Sequence, residues 1–238
     1  MSNTAAESSD GRGGAIYAFT SLEGTSATIS NVITLAIGDN VQLVSNTAAV
    51  AGNGYGGAVF ATSSNLELHI SLSVGQHVQF VSNTAAVSGE GESQGGVIWV
   101  LASSSHFKLS ISKNASFLQN SAANGGIGYF RQSNATFNIS IGENADFISD
   151  GGSGFRIAAS SSQGASFSIR ENSIIENYKS FVSISLLEQS ELAVSIANAT
   201  AVDCENCISL ESFDSSGMNV SILNSTFVGI INYAISVL

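Results

Sequence analysis

Ser2-Asn-Thr-Ala-Ala, Ser45-Asn-Thr-Ala-Ala and Ser82-Asn-Thr-Ala-Ala are copies of one pentapeptide, and each runs through a variable polar loop into a glycine pair, Gly13–Gly14, Gly56–Gly57 or Gly95–Gly96. A decayed fourth copy, Asn120-Ser-Ala-Ala-Asn, leads to Gly125–Gly126. Self-similarity at a period of a few tens of residues marks a stacked repeat, in which each unit buries its apolar side only against its neighbours. The chain is therefore read as one elongated body over residues 1–238, with long-looped coils in 1–124 and shorter, degenerate coils in 125–238.

Three β-type segments recur in fixed order. The first follows the glycines, as in Ala15-Ile-Tyr-Ala-Phe, Ala58-Val-Phe-Ala, Val97-Ile-Trp-Val and Ile127-Gly-Tyr-Phe. The second alternates apolar and polar residues, as in Leu66-Glu-Leu-His-Ile-Ser-Leu-Ser-Val, Phe107-Lys-Leu-Ser-Ile and Phe137-Asn-Ile-Ser-Ile. Alternation with period two marks a strand with one buried face. The third is a short apolar–x–x–Asn unit, running from Leu43 to Asn46, Phe80 to Asn83 and Phe117 to Asn120, then from Phe147 to Asp150 and Ile174 to Asn177.

Aligning the second segment puts Ile37, Val74, Ile111, Ile141, Ile169, Ile196 and Ile222 in one column, at spacings of 37, 37, 30, 28, 27 and 26 residues. These features predict an all-β fold, a parallel β-helix of about seven coils with three short strands per coil. Such a stack would be about 34 Å long. Asn46, Asn83, Asn120 and Asn177 read as a structural ladder, because Asn tolerates left-handed bends and its amide bonds a counterpart one coil away.

Only 11% of residues are charged, and seven basic residues against 18 acidic ones leave a net charge of −11. A surface so poor in Lys and Arg excludes nucleic acid as a partner. The absence of any run near 18 apolar residues excludes a membrane-spanning helix. Residues 2–14 lack the apolar stretch of a secretory leader. The pentapeptide that sits mid-repeat elsewhere follows Met1 directly, and Ile235-Ser-Val-Leu is apolar and strand-like. Ser2, Asn3, Ile235, Val237 and Leu238 are thus expected at uncapped ends, which either stack head to tail on further copies or are cut from a longer surface adhesin.

The alternation of Gly13-Gly-Ala-Ile and Gly56-Gly-Ala-Val with Phe80-Val-Ser-Asn and Phe117-Leu-Gln-Asn resembles the chlamydial polymorphic outer-membrane protein repeats, which are right-handed β-helical passenger segments of autotransported adhesins, so the resemblance implies a right-handed coil here. Past residue 150 the motifs erode to forms such as Ile174-Ile-Glu-Asn and only the period remains. The resemblance implies an extracellular or cell-surface location and an adhesive or structural role, and it names no catalytic residue.

Candidate chemistry is sparse. Polysaccharide-cleaving β-helices need outward carboxylates clustered across coils. Asp146 and Asp150, with Glu143 and Glu176 in neighbouring coils, form the one acidic patch available, and solvated turns account for it. His69, His77 and His106 are read at unlike positions in successive coils, so neither a zinc site nor any other cofactor is expected. Cys204 and Cys207 form a lone C-x-x-C, open to a local disulfide or to two buried thiols. Asn114, Asn134, Asn138, Asn198, Asn219 and Asn224 head N-x-S/T sequons, which would carry glycans if the chain is made in a secretory eukaryote. Tyr17, Phe60, Trp99 and Tyr129 share one column. Turned inward it is stacked core, the favoured reading; turned outward it would suit glycans or a cell-surface protein.

Overall fold

The structure, a computed structural model, describes residues 3–7, 9–20, 32–63, 69–88, 92–103, 106–134, 136–162, 164–213 and 216–237. Every described strand pairing is parallel and joins equivalents in adjacent coils. The first segment builds an eight-stranded sheet from Ile16–Thr20 to Tyr233–Val237. The second builds a seven-stranded sheet from Val32–Ile37 to Gly217–Leu223, and the third another from Gln42–Val44 to Thr226–Val228. The chain is a parallel β-helix. The register sets Ile37 opposite Val74, and the same column continues through Ile111, Ile141, Ile169 and Ile196 to Ile222.

The first three coils depart from the expected three strands per coil. Their Ser-Asn-Thr-Ala-Ala segments form a further sheet of Thr4–Ala6, Thr47–Ala51 and Thr84–Ser88, and the polar run after each adds Gly11–Arg12, Gly54–Tyr55 and Ser93–Gln94. Small side chains allow this second layer to lie close to the coil. Ala48, Ala49 and Ala85 are fully buried, and a Cβ on Gly11 or Gly54 would collide with the carbonyl of Ala48 or Ala85 in the following coil.

The glycine pair has two separate causes. Its first member, at Gly13, Gly56, Gly95 and Gly125, turns in the left-handed region with φ of 60–66°, where L side chains are strained. Its second member lies against the next coil: a Cβ on Gly14, Gly57 or Gly96 would overlap the carbonyl oxygen of Gly57, Gly96 or Gly126 respectively.

One continuous apolar column fills the stack. Alternation delivers Phe107, Leu109 and Ile111 inward while His106 and Lys108 stay exposed. In the third sheet Phe80 stacks on Phe117 at 4.9 Å and Phe117 on Phe147 at 5.2 Å. Offset ring pairs of this kind add about 0.5–1.5 kcal/mol each beyond the area they bury. On the outward side of the second sheet Ser73, Ser110, Ser140, Ser168, Ser195 and Ser221 stand in line.

The asparagine ladder is real but starts one coil earlier than expected, at Asn3, and ends at Asn120. The Asn3 Nδ2 donates to Asn46 Oδ1 at 2.9 Å, Asn46 Nδ2 to Asn83 Oδ1 at 2.8 Å, and Asn83 Nδ2 to Asn120 Oδ1 at 3.0 Å. Asn46, Asn83 and Asn120 are inside, at 4% exposure or less. The left-handed bend falls on the residue before each of them, Ser45, Ser82 and Gln119. Asn177 belongs to that bend, with φ of 58°, and not to the ladder. The register pairs Phe147 with Ile175, not Ile174, which moves the ladder position from Asn120 to exposed Asp150 and then to buried Tyr178 and Cys204.

A second asparagine column went unread in the sequence. Asn40, His77, Asn114, Asn144, Asn172, Asn198 and Asn224 all turn the corner from the second to the third sheet with φ of 49–59°. Asn and Asp reach this region more cheaply than other side chains, which explains six asparagines among seven positions.

Gln132 breaks the pattern of satisfied polar groups. It is 2% exposed, lies between Ala102 and Ala159 in the register, and neither amide atom has a partner. Replacing an orphaned buried amide with an apolar side chain of similar shape removes its desolvation cost of about 1–3 kcal/mol. Gln132→Met is therefore expected to raise the thermal midpoint. A lower midpoint by calorimetry would mean that the amide is bonded through internal water.

Candidate functional site

The aromatic column is outside the central core, contrary to the inward expectation. Val59, Ala61, Ile98 and Val100 face the core cluster, and their neighbours Phe60 and Trp99 face the other side of the sheet. They are nonetheless covered, at 2% and 8% exposure, because the short strands of the second layer lie over them. Tyr17 stacks on Phe60 at 5.1 Å and 7°, and Phe60 on Trp99 at 4.6 Å and 5°. Stacking along the coil axis occupies the ring faces of Phe60 and Trp99, so the middle of the column is no open aromatic strip, whereas Tyr17 at its first coil is 50% exposed.

It forms instead the floor of a cleft of about 510 Å³ between the eight-stranded sheet and the second layer. The wall fixes the floor. Gln94 Oε1 accepts from Trp99 Nε1 at 2.9 Å, the Tyr55 ring meets the Trp99 indole edge-on at 5.5 Å, and the Arg12 guanidinium lies 5.6 Å from the centroid of Phe60. Asp10 accepts from the Asn53 amide at 3.0 Å, while Glu92 accepts from Tyr55 Oη at 3.4 Å and from Gln94 Nε2 at 3.2 Å. Burial and the neighbouring Glu92 and Asp10 carboxylates push the Tyr55 phenol above its usual range, so it remains a donor.

The stack stops at Trp99. Tyr129, next in register, is half-buried and has no ring partner among the described residues. Arg131 lies two residues further on the same outward face, and Arg156 pairs with Tyr129 from the following coil. Both arginines are exposed, and among the described residues neither guanidinium has a hydrogen-bond or ion-pair partner. The sequence displays the aromatic column but not this basic end of it, because Arg131 and Arg156 lie in different coils and share no motif.

The histidines need correcting. His106 pairs directly with His69, and the rings stack at 4.8 Å, so these two do form a column. Thr136 continues it, with its hydroxyl 2.6 Å from His106 Nδ1. His77 is in the separate turn column, 3.5 Å from Asn114 Nδ2. Among the described residues no three His, Cys, Asp or Glu side chains gather as metal ligands would.

The acidic patch is dispersed and partly regrouped. Asp146 pairs with Ser116 and Ile174, and Glu176 with Ile148, so Asp146 and Glu176 are offset by two residues along adjacent strands. Asp150 instead joins Asp203, Glu205 and Lys179 around a shallow hollow of about 470 Å³. Among the described residues no hydrogen bond links two of the four expected carboxylates. Outside the patch, Glu188 is held below the usual carboxylate range by hydrogen bonds from the Ser160 and Ser161 hydroxyls.

Cys204 and Cys207 are free thiols, both buried at the corner where the third sheet returns to the first. The Cys207 thiol bonds to Cys204, which pushes Cys207 up and holds Cys204 below the usual thiol range. Burial raises the neighbouring Tyr178 phenol. Among the sequons, Asn138 and Asn219 are exposed mid-strand, Asn134 and Asn224 are exposed in left-handed turns, and Asn114 and Asn198 are half-buried in such turns. Asn114 also accepts a hydrogen bond from Asn144. Of the expected end residues, Asn3 is the first rung of the ladder, Ile235 pairs with Ile208, and Val237 with Leu210. Ser2 and Leu238 lie outside the described residues. No protein-family model, curated protein or solved structure matches the chain.

Proposed function

We propose that the protein is a non-catalytic structural and adhesive β-helix of the cell surface or extracellular space, and that copies stack head to tail through their end coils. One observation carries the reading: among the described residues, the apolar side chains of the first and last coils are less covered than their equivalents one coil inward. Leu192, Val194 and Ile196 are at most 3% exposed, yet their equivalents one coil on, Met218, Val220 and Ile222, are only partly buried. At the opposite end Ile33 and Leu35 are partly buried, whereas the paired Ile70 and Leu72 are at 2%. Both faces also present strand edges, Val32–Ile37 at one end and Gly217–Leu223 at the other. Two such faces are complementary in backbone pattern and side-chain period, and joining them is a heterologous contact that propagates. The resemblance to surface adhesin repeats and the hydroxyl-rich, weakly charged exterior support the location.

Size decides the matter. Light scattering and electron microscopy over a concentration series are expected to show rods that lengthen with concentration. The double variant Val220→Lys, Ile235→Lys sets two ammonium groups on the end face and is expected to stay monomeric with its β-sheet spectrum intact. A wild-type protein that remains monomeric throughout the series would overturn head-to-tail assembly.

A further inference from the structure

We propose that the cleft beside Trp99 is a binding site for an acidic saccharide, one carrying a carboxylate or a sulfate. This stands independently of end-to-end stacking.

Three features of the cleft point to that class of ligand. Its size, about 510 Å³, is within the range of small-molecule sites of about 300–1,000 Å³ and exceeds what one ordered water needs. Its surfaces mix aromatic rings with planar polar groups: Tyr55, Gln94, Glu92 and Thr62 offer hydrogen-bonding atoms beside Trp99 and Tyr129. This combination suits a ligand whose rings have apolar faces and hydroxyl rims. The parts are also preorganised, since the indole is held by Gln94 and Tyr55 before any ligand arrives.

Charge gives the ligand its sign and its direction. Three of the seven basic residues, Arg12, Arg131 and Arg156, line or adjoin this one feature of a chain whose net charge is −11. Asp10 and Glu92 stand on the wall over the first and third coils, where their oxygens already accept bonds. Arg131 and Arg156 stand in the fourth and fifth coils. The second layer has its last strand at Ser93–Gln94, so the wall ends where Tyr129 surfaces. A ligand would thus lie along the coil axis, its neutral hydroxyls toward Glu92 and its anionic group over Tyr129, where guanidinium donors without partners are available for planar, bidentate contact.

The experiment is calorimetric titration with a galacturonate tetramer and a chondroitin sulfate tetrasaccharide, with cellotetraose as the neutral comparator. Binding of at least one acidic probe, weakening with added salt, is expected, and cellotetraose should bind at least tenfold more weakly. Arg131→Gln and, separately, Tyr129→Ala are each expected to weaken the acidic probe at least tenfold, and Arg170→Gln, away from the cleft, should not. Both cleft positions are at least partly exposed, so unchanged circular dichroism certifies the variants. Because the protein as a whole repels anions, bulk charge cannot supply the binding. The assignment fails if none of the probes binds, if cellotetraose binds equally well, or if Arg131→Gln is without effect.

Discussion

Asn83→Ala is expected to lower the unfolding free energy by about 3–5 kcal/mol, because one truncation orphans several buried groups at a cost of about 1–3 kcal/mol each. Asn83 Oδ1 accepts from both the backbone N and the side-chain Nδ2 of Asn46, at 3.1 and 2.8 Å. Its Nδ2 donates to Asn120 Oδ1 and to the Leu43 carbonyl at 2.8 Å. The alanine leaves the Asn46 donors and the Leu43 carbonyl without partners in a place that is 0% exposed at residue 83. Urea unfolding should show a lower midpoint at unchanged slope. Asn83→Asp separates the amide from the shape. Its carboxylate keeps the acceptor role but loses the donor and buries a charge, so burial raises its pKa in the folded state above the unfolded value. The protonated form then fits at low pH, and the destabilisation grows as pH rises through the folded pKa. Asn83→Ala should show no such dependence. A loss below 1 kcal/mol for the alanine variant would mean that the ladder is ornamental to stability.

Gly57→Ala is expected to cost about 4 kcal/mol or more, which places it in the small class of severe single substitutions. The added methyl would overlap the Gly96 carbonyl and the Thr84 backbone, and neither can rotate away as a side chain could. Relief requires adjacent coils to separate, which weakens the parallel hydrogen bonds on both sides. Gly38→Ala is the internal comparison. A Cβ there meets nothing within 4 Å, and its φ is outside the left-handed region. That variant should fall within about 0.5 kcal/mol of wild type. Equal effects of the two substitutions in thermal or chemical unfolding would refute the close-approach explanation.

What could be read from the sequence follows from how strongly each segment contrasts its two faces. Phe107-Lys-Leu-Ser-Ile alternates without ambiguity, and its whole column registers in the structure from Ile37 to Ile222. Val97-Ile-Trp-Val offers no polar residue to mark the outer face. Period alone therefore could not show that Trp99 points away from the core, under a second layer whose strands belong to the first three coils. The Ser-Asn-Thr-Ala-Ala segments read as a repeat marker and not as strands, because their paired alanines carry little strand signal, though that small size is what lets a second sheet lie close. Ile174 and Ile175 are adjacent isoleucines, and choosing the first as the inward one displaced Asn177 into the ladder. The His69–His106 pair was a matter of counting: once Ile70 faces Phe107, the preceding residues must face each other. The cleft could not be foreseen, since its floor and wall come from different layers and its arginines from three coils.

The parallel pairing of each strand with its counterpart in the adjacent coil has a mechanical corollary. Tension applied along the axis at one end does not load all the sheets in shear together; it falls on the terminal coil and peels it from its neighbour. In the C-terminal half successive coils are 26–30 residues apart. Each detached coil of 26 residues would release a contour of about 90 Å at about 3.5 Å per residue. Stretched in a force spectrometer, the molecule would lengthen in a series of small, nearly equal yields, a shock absorber that gives way one turn at a time and rewinds when the load drops.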